Sequence, residues 1–153
     1  MKKAFSMLEL IFVIVIIGIL VAVAIPKLAA TRADANIVKA RTDVSNIRSA
    51  ILSLHSKDLM KGLNYYPDTL DEANESEDES LFEGNHSKNE YLLDYPIYSK
   101  KSDGHWMKTD DTNYTIKLQN TDVKFNYYKS NGHFDCEGLN SNKADDLCKK
   151  LTH

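Results

Sequence analysis

The sequence predicts an α+β protein: one long N-terminal helix, membrane-spanning in its first half, whose second half packs on a small antiparallel β-sheet. Three observations carry this. Residues 4–25 are an almost unbroken apolar run; from Ala30 small or apolar residues recur at alternating steps of three and four; and beyond residue 112 apolar and polar residues alternate. With 153 residues, 42% of them hydrophobic, and a net charge of −3, the chain can build one modest soluble domain beside the apolar run, but not two. The mean hydropathy of the whole chain lies below zero, so the apolar residues are concentrated at the start.

The run reads AFSMLELIFVIVIIGILVAVAI, and Leu10 to Ile25 carries no charge. Extended forward by Phe5, Met7 and Leu8, it reaches the ~20 residues that a helix rising about 1.5 Å per residue needs to cross a bilayer. A secretory signal with Lys2-Lys3 as its basic start and Ala22-Val23-Ala24 as its cleavage site fits less well. Such a signal seldom has more than about 15 apolar residues and gives no reason for the acid at Glu9. Lys2 and Lys3 on one side face Lys27, Arg32, Lys39 and Arg41 on the other, so the count of flanking positive charges does not decide the orientation.

After the span, Ala30, Ala33, Ile37, Ala40, Val44, Ile47, Ile51 and Leu54 fall on one narrow stripe of a helix, with Arg32, Asp34, Lys39, Arg41, Asp43 and Arg48 on other faces. The expectation is one helix from about Phe5 to about Leu59, divided into a span at 5–27 and a soluble half at 28–61. Pro26 removes a backbone hydrogen bond and crowds the preceding turn, so a kink or local melting is expected just before it, with Gly18 as a second soft point. Gly62 and Pro67 end the pattern.

Residues 62–111 read as irregular. Within them, residues 71–85 hold seven acids and no base, the composition of a solvated, mobile loop; an acidic patch for a basic partner or a divalent ion is the second reading. Tyr91, Leu92, Leu93, Tyr95, Ile97, Tyr98 and Trp106 supply apolar mass for a small core. The last section, 112–153, reads as a β-meander. Tyr114, Ile116 and Leu118 alternate with polar residues, and so do Val123, Phe125 and Tyr127 after a turn near Asn120-Thr121. Asn131-Gly132 suits a two-residue hairpin leading to a third strand with Phe134 and Cys136. The two cysteines, Cys136 and Cys148, either form a disulfide in an oxidising compartment or remain two free thiols.

KKAFSMLELIFVIVIIGILVAVAIPKL resembles the leader and membrane helix of type IV pilins and type II secretion pseudopilins, and ADANIVKARTDVSNIRSAI resembles the continuing helix of major pseudopilins. The family pattern is a short basic leader, a small residue at the cut, an aromatic or apolar first mature residue and a Glu four places on. Here these are Lys2-Lys3, Ala4, Phe5 and Glu9; the family usually has Gly where this chain has Ala4. The resemblance implies a pilin fold, with residues 1–4 as the leader. A prepilin peptidase would cut between Ala4 and Phe5 and methylate the new amine of Phe5. The mature chain would rest in a bacterial inner membrane as a single-pass protein with a periplasmic C-terminal domain. It would then join other pseudopilin subunits on an inner-membrane assembly platform to form a pseudopilus that drives protein secretion.

Glu9 would be the assembly contact, neutralised by the Phe5 ammonium of a neighbouring subunit, because an unpaired acid in hydrocarbon costs about 3 kcal/mol on insertion scales. Gly18 and Pro26 would bracket the segment that melts during assembly. The resemblance also implies a C-terminal Cys136–Cys148 disulfide loop. Some relatives bind calcium there instead; Asp135, Asp145 and Asp146, with Glu137, Asn140 and Asn142, supply oxygens, but not at EF-hand spacing. A disulfide without metal is the expectation.

Competence pseudopili for DNA uptake and type IV pili share this pattern and are the alternatives. Direct nucleic-acid binding is not expected, since consecutive basic residues in the soluble domain form only small groups, Lys100-Lys101 and Lys149-Lys150, set against a long acidic segment. Nor is an enzyme expected. The five histidines, His55, His86, His105, His133 and His153, are scattered, with no pair at metal-ligand spacing and no activated nucleophile nearby.

Overall fold

Helix α1 (Met7–Met60) is 54 residues long and runs through Gly18 and Pro26 without leaving the helical state. In the computed structural model, residues 6–137 and 142–152 are described, and they fall into two compact units divided between Asp34 and Ala35. The end of α1 follows from Gly62. Its φ of +77° lets its N–H reach the carbonyl of Leu59 at 2.9 Å while the Leu63 N–H reaches that of Asp58 at 2.9 Å. This is the paired closure that glycine in the left-handed region gives a helix terminus.

The striped half of α1 buries Ala40, Val44, Ile47, Ile51 and Leu54, as the spacing predicts. Ile37 packs at the edge of the core, whereas Ala30 stays exposed. Two acids, Asp43 and Asp58, are buried along the same half of the helix.

Residues 62–111 are more ordered than their composition suggests. Strand β1 (Ser80–Leu81) pairs antiparallel with β4 (Ile97–Tyr98), and β2 (Gly84–Asn85) pairs with β3 (Glu90–Tyr91) across a short 3-10 turn, His86–Lys88. Strand β5 (Trp106–Lys108) adds to the meander, so the main sheet has four strands, not three: β5, β6 (Asn113–Leu118), β7 (Thr121–Tyr128) and β8 (His133–Cys136), all antiparallel and in that order. The β6–β7 turn lies one residue earlier than expected, on Gln119 and Asn120, both with positive φ. The β7–β8 link is a four-residue loop and not a two-residue hairpin, since Tyr128 pairs with His133 and only Gly132 of the intervening residues has positive φ. A Cβ at Gly132 would collide with the ring of Tyr66, a second reason for glycine there. The C-terminal segment, expected as a loop, forms α2 (Asn142–Thr152), which buries Ala144, Leu147 and Leu151.

The inward faces of sheet and helix enclose Trp106, Tyr114, Phe82, Phe125 and Phe134, all fully buried. Phe82 belongs to the acidic segment. Its ring centroid lies 4.5 Å from Tyr114 and 5.5 Å from Trp106, and its backbone takes the left-handed φ of +61°. A bulky residue in that region costs on the order of 1–3 kcal/mol and persists only where the surroundings overdetermine it.

The carboxylate of Asp71 does so. One of its oxygens accepts from Lys108 Nζ at 2.9 Å and from the Ala73 N–H at 3.2 Å; the other accepts from the Phe82 N–H at 3.1 Å and the Tyr114 hydroxyl at 2.8 Å. Both members of the Lys108–Asp71 ion pair are withdrawn from solvent, and burial together with the Asp71 charge pushes the Tyr114 hydroxyl far above its usual range. The first acid of the segment expected to be a mobile loop is therefore its anchor. Removing one member of a buried, hydrogen-bonded pair strands the other, so Asp71→Ala is expected to lower the unfolding free energy by about 3–5 kcal/mol. Tyr114→Phe, which removes one donor, is expected to cost about 1–2 kcal/mol. Denaturant unfolding followed by the fluorescence of Trp106, the single tryptophan, measures both.

Candidate functional site

At its N-terminus α1 is capped by Ser6, whose hydroxyl accepts from the Leu8 N–H at 3.3 Å and whose carbonyl accepts from the Glu9 and Leu10 N–H groups at 3.1 Å. Ser6 and Glu9 stand three residues apart, the spacing of a helix-capping pair, and Glu9 lies in the first turn, where the helix dipole favours an acid. Sequence reading centred on Glu9 passes over this local role of Ser6. Ala4 and Phe5, the expected cleavage and methylation residues, lie outside the described residues.

From Met7 to Ile25 every large apolar side chain is exposed; Leu8 is 80% exposed and Phe12 64%. Such a surface has no place in water. The helix is long and apolar enough to cross a membrane, and none of its most apolar stretch is buried within the chain. Glu9 is exposed in this band beside Leu8, Phe12 and Ile11. A Cβ added at Gly18 would meet nothing within 4 Å, so packing within the chain does not demand the glycine.

In the C-terminal unit, Cys136 at the end of β8 and Cys148 in α2 form a disulfide across 12 residues of sequence, their Cα atoms 5.9 Å apart. Closing a loop of that size contributes about 3 kcal/mol in the chain-entropy model. Arg48 of α1 reaches the same corner. Its Nε donates to the Phe134 carbonyl at 2.9 Å and its Nη2 to Asp135 at 2.9 Å, while the other Asp135 oxygen faces His133 Nδ1 at 3.2 Å.

Of the three calcium candidates, Asp135 is thus engaged by Arg48 and His133, and Asp146 pairs with Lys150 at 2.7 Å. Asp145 keeps one buried oxygen without a partner. Asn140 lies outside the described residues, Asn142 opens α2, and Glu137 accepts from Asn126. Among the described residues no group of three or more acids, histidines or cysteines is arranged to hold a metal ion. The histidines sit apart: His55 stacks on Tyr66 with centroids 3.9 Å apart, His86 lies against Tyr91, His105 meets the Ser102 hydroxyl, and His153 is outside the described residues.

Charged groups also gather where α1 ends. Asp58 pairs with Lys61 at 2.8 Å, and Lys88 with Asp68 at 2.6 Å. Glu90 is 9% exposed, and one of its oxygens is buried without a hydrogen-bond partner. Burial raises its carboxyl above the ordinary range; Lys88 opposes this, while Asp58 and Asp68 add to it. Since ionising Glu90 costs the folded state more than the unfolded one, the penalty is absent below the ordinary carboxylate range and complete above the raised value. Glu90→Gln is therefore expected to raise the thermal midpoint at neutral pH, and the gain should vanish in acid below the range where free glutamate titrates. Calorimetry of both proteins across that interval measures the effect.

No protein-family model, curated protein or solved structure matches the chain.

Proposed function

We propose that the chain is a pilin-like subunit, a pseudopilin, of a type II secretion or type IV pilus-like system, and that it has the pilin fold. A prepilin peptidase processes it between Ala4 and Phe5, methylates Phe5, and leaves it in the inner membrane until it is assembled with other subunits into a periplasmic pseudopilus that drives protein secretion. The observation that carries this reading is the exposed apolar half of α1, which bears a single acid, Glu9, in its first turn. That half is covered by lipid while the subunit is stored, and by the same half of other subunits once it is assembled. The chain's role is structural rather than enzymatic.

Several features of the soluble unit support the reading. The sheet rests on the striped half of α1, the arrangement expected of the pilin fold. The disulfide suits a periplasmic location, where thiols are oxidised. Glu9 has no cation near it within its own chain among the described hydrogen bonds and ion pairs, whereas each added subunit brings a free amine at Phe5. Pairing the two removes a cost of about 3 kcal/mol for an acid in hydrocarbon and sets the axial register.

The mature N-terminus is expected at methylated Phe5. N-terminal mass spectrometry of the membrane-resident protein checks this, and a terminus at Met1 or Ile25 would refute processing at this site. Glu9→Ala is expected to yield a processed, membrane-resident protein that assembles poorly, read as the amount of sheared pseudopilus; normal assembly in that variant would remove Glu9 from the contact. In a deletion strain, exoprotein release is expected to fall while transformation by added DNA is retained; the reverse result would assign the filament to DNA uptake.

A further inference from the structure

The outward face of the main sheet gathers lysines that are scattered in the sequence. Thr115 pairs with Met107 on one side and Lys124 on the other, and one row along, Lys117 pairs with Asp122 while donating its N–H to the His105 carbonyl. Lys100 and Lys101 enter from the segment after β4. Together they surround a hollow of about 550 Å³ with Met107 and Thr115 in its floor. Two acids, Glu75 and Asp122, also line it; Asp122 lies 4.0 Å from Lys117, and the Lys108 ammonium is turned inward to Asp71. No hydrogen bond or ion pair among the described residues engages the ammonium groups of Lys100, Lys101 or Lys124.

His105 also lines a second hollow, of about 260 Å³, with Lys39, Tyr95 and Tyr98. Along the extended segment from β4, Ile97 and Ser99 are buried while Tyr98 and Lys100 are exposed, so the ring and the ammonium share one face. Two residues of extended chain separate them by about 6.6 Å. Tyr98 is 58% exposed and Tyr95 43%.

We propose that this face binds a single strand of nucleic acid, its phosphates on Lys100, Lys101, Lys117 and Lys124 and a base stacked on Tyr98. A cationic groove that tracks a backbone, with aromatic rings beside it, is the common arrangement for sequence-tolerant binding of single strands. An acidic peptide would satisfy the lysines and leave the tyrosines unused. The inference goes beyond filament assembly and stands or falls separately from it, because binding is measured on unassembled protein.

The test uses the full chain in detergent micelles and a fluorescein-labelled oligothymidine, with binding read by fluorescence anisotropy across a salt series. Binding is expected to weaken with salt with a log–log slope of about −2 to −3, since each phosphate contact on a single strand contributes about −0.7. Lys100→Gln/Lys101→Gln/Lys124→Gln, which leaves the core untouched, is expected to weaken binding about tenfold or more and to flatten the slope. Tyr98→Ala should cost about fivefold or more, and Lys149→Gln/Lys150→Gln, on α2, should change nothing. No binding at about 50 mM salt, equal loss in the α2 variant, or full binding by the sheet-face variant would overturn the proposal. So would a Tyr98→Ala protein that binds oligothymidine unchanged while polyglutamate competes as well as unlabelled strand, since the face would then be a general polyanion surface.

Discussion

The C-terminal unit depends on a carboxylate that solvent does not reach. Asp71 ties the entry of the acidic segment to the backbone of Phe82, to Tyr114 on β6 and to Lys108 on β5, and so joins an irregular stretch to the sheet. Four donors converge on its two oxygens, among them the Lys108 ammonium, so its buried lone pairs are met by partners. The dependence runs both ways. Without Asp71, Lys108 would be a buried cation and Phe82 would have no donor fixing its left-handed backbone; without Phe82, the cluster of Trp106, Tyr114 and Phe134 would lose the ring that fills its centre. One polar contact therefore sets where the aromatic core closes.

Helix α1 meets two different requirements in its two halves. Toward its N-terminus the side chains are apolar on every face, the pattern of a helix that finds an apolar environment all round. From Ala40 onward one apolar stripe is buried against the domain, and the other faces are mostly polar. Charge placement follows the same division. The first half carries an acid only in its first turn, where unsatisfied N–H groups at the helix end help to tolerate it, whereas the second half spreads its charges over exposed faces and buries only Asp43 and Asp58. Asp43 receives the Trp106 indole N–H at 3.2 Å, yet burial still lifts its carboxyl above the usual range.

Much of this was legible in the sequence, because periodicity reports directly which face of a regular element is buried. The stripe from Ile37 to Leu54 and the alternation along β6 and β7 follow from spacing, and the helix end follows from the residue type at Gly62. The rest was less legible for identifiable reasons. Strand β5 is three residues long, and one of its two inward positions is Lys108, so its alternation is disguised by a residue whose partner lies 37 positions away. Within residues 71–85, composition counts acids but does not tell the one that meets four donors from those that meet water. Helix α2 did carry a usable signal in Ala144, Leu147 and Leu151, at steps of three and four, obscured by the reading of the two cysteines as the ends of a loop.

The lysines on the sheet were illegible for a related reason. Charge clusters read along a chain reveal only neighbours in sequence, and Lys100-Lys101 alone is too small a group to hold a polyanion. Strand pairing sets Lys124 across from Thr115 and Lys117 two residues along the same face, so four cations gather from three separate stretches. Lys108, one residue from Met107 in sequence, points the opposite way and spends its charge on Asp71. The alternation of a strand thus decides, residue by residue, which lysine completes the core and which remains available on the surface.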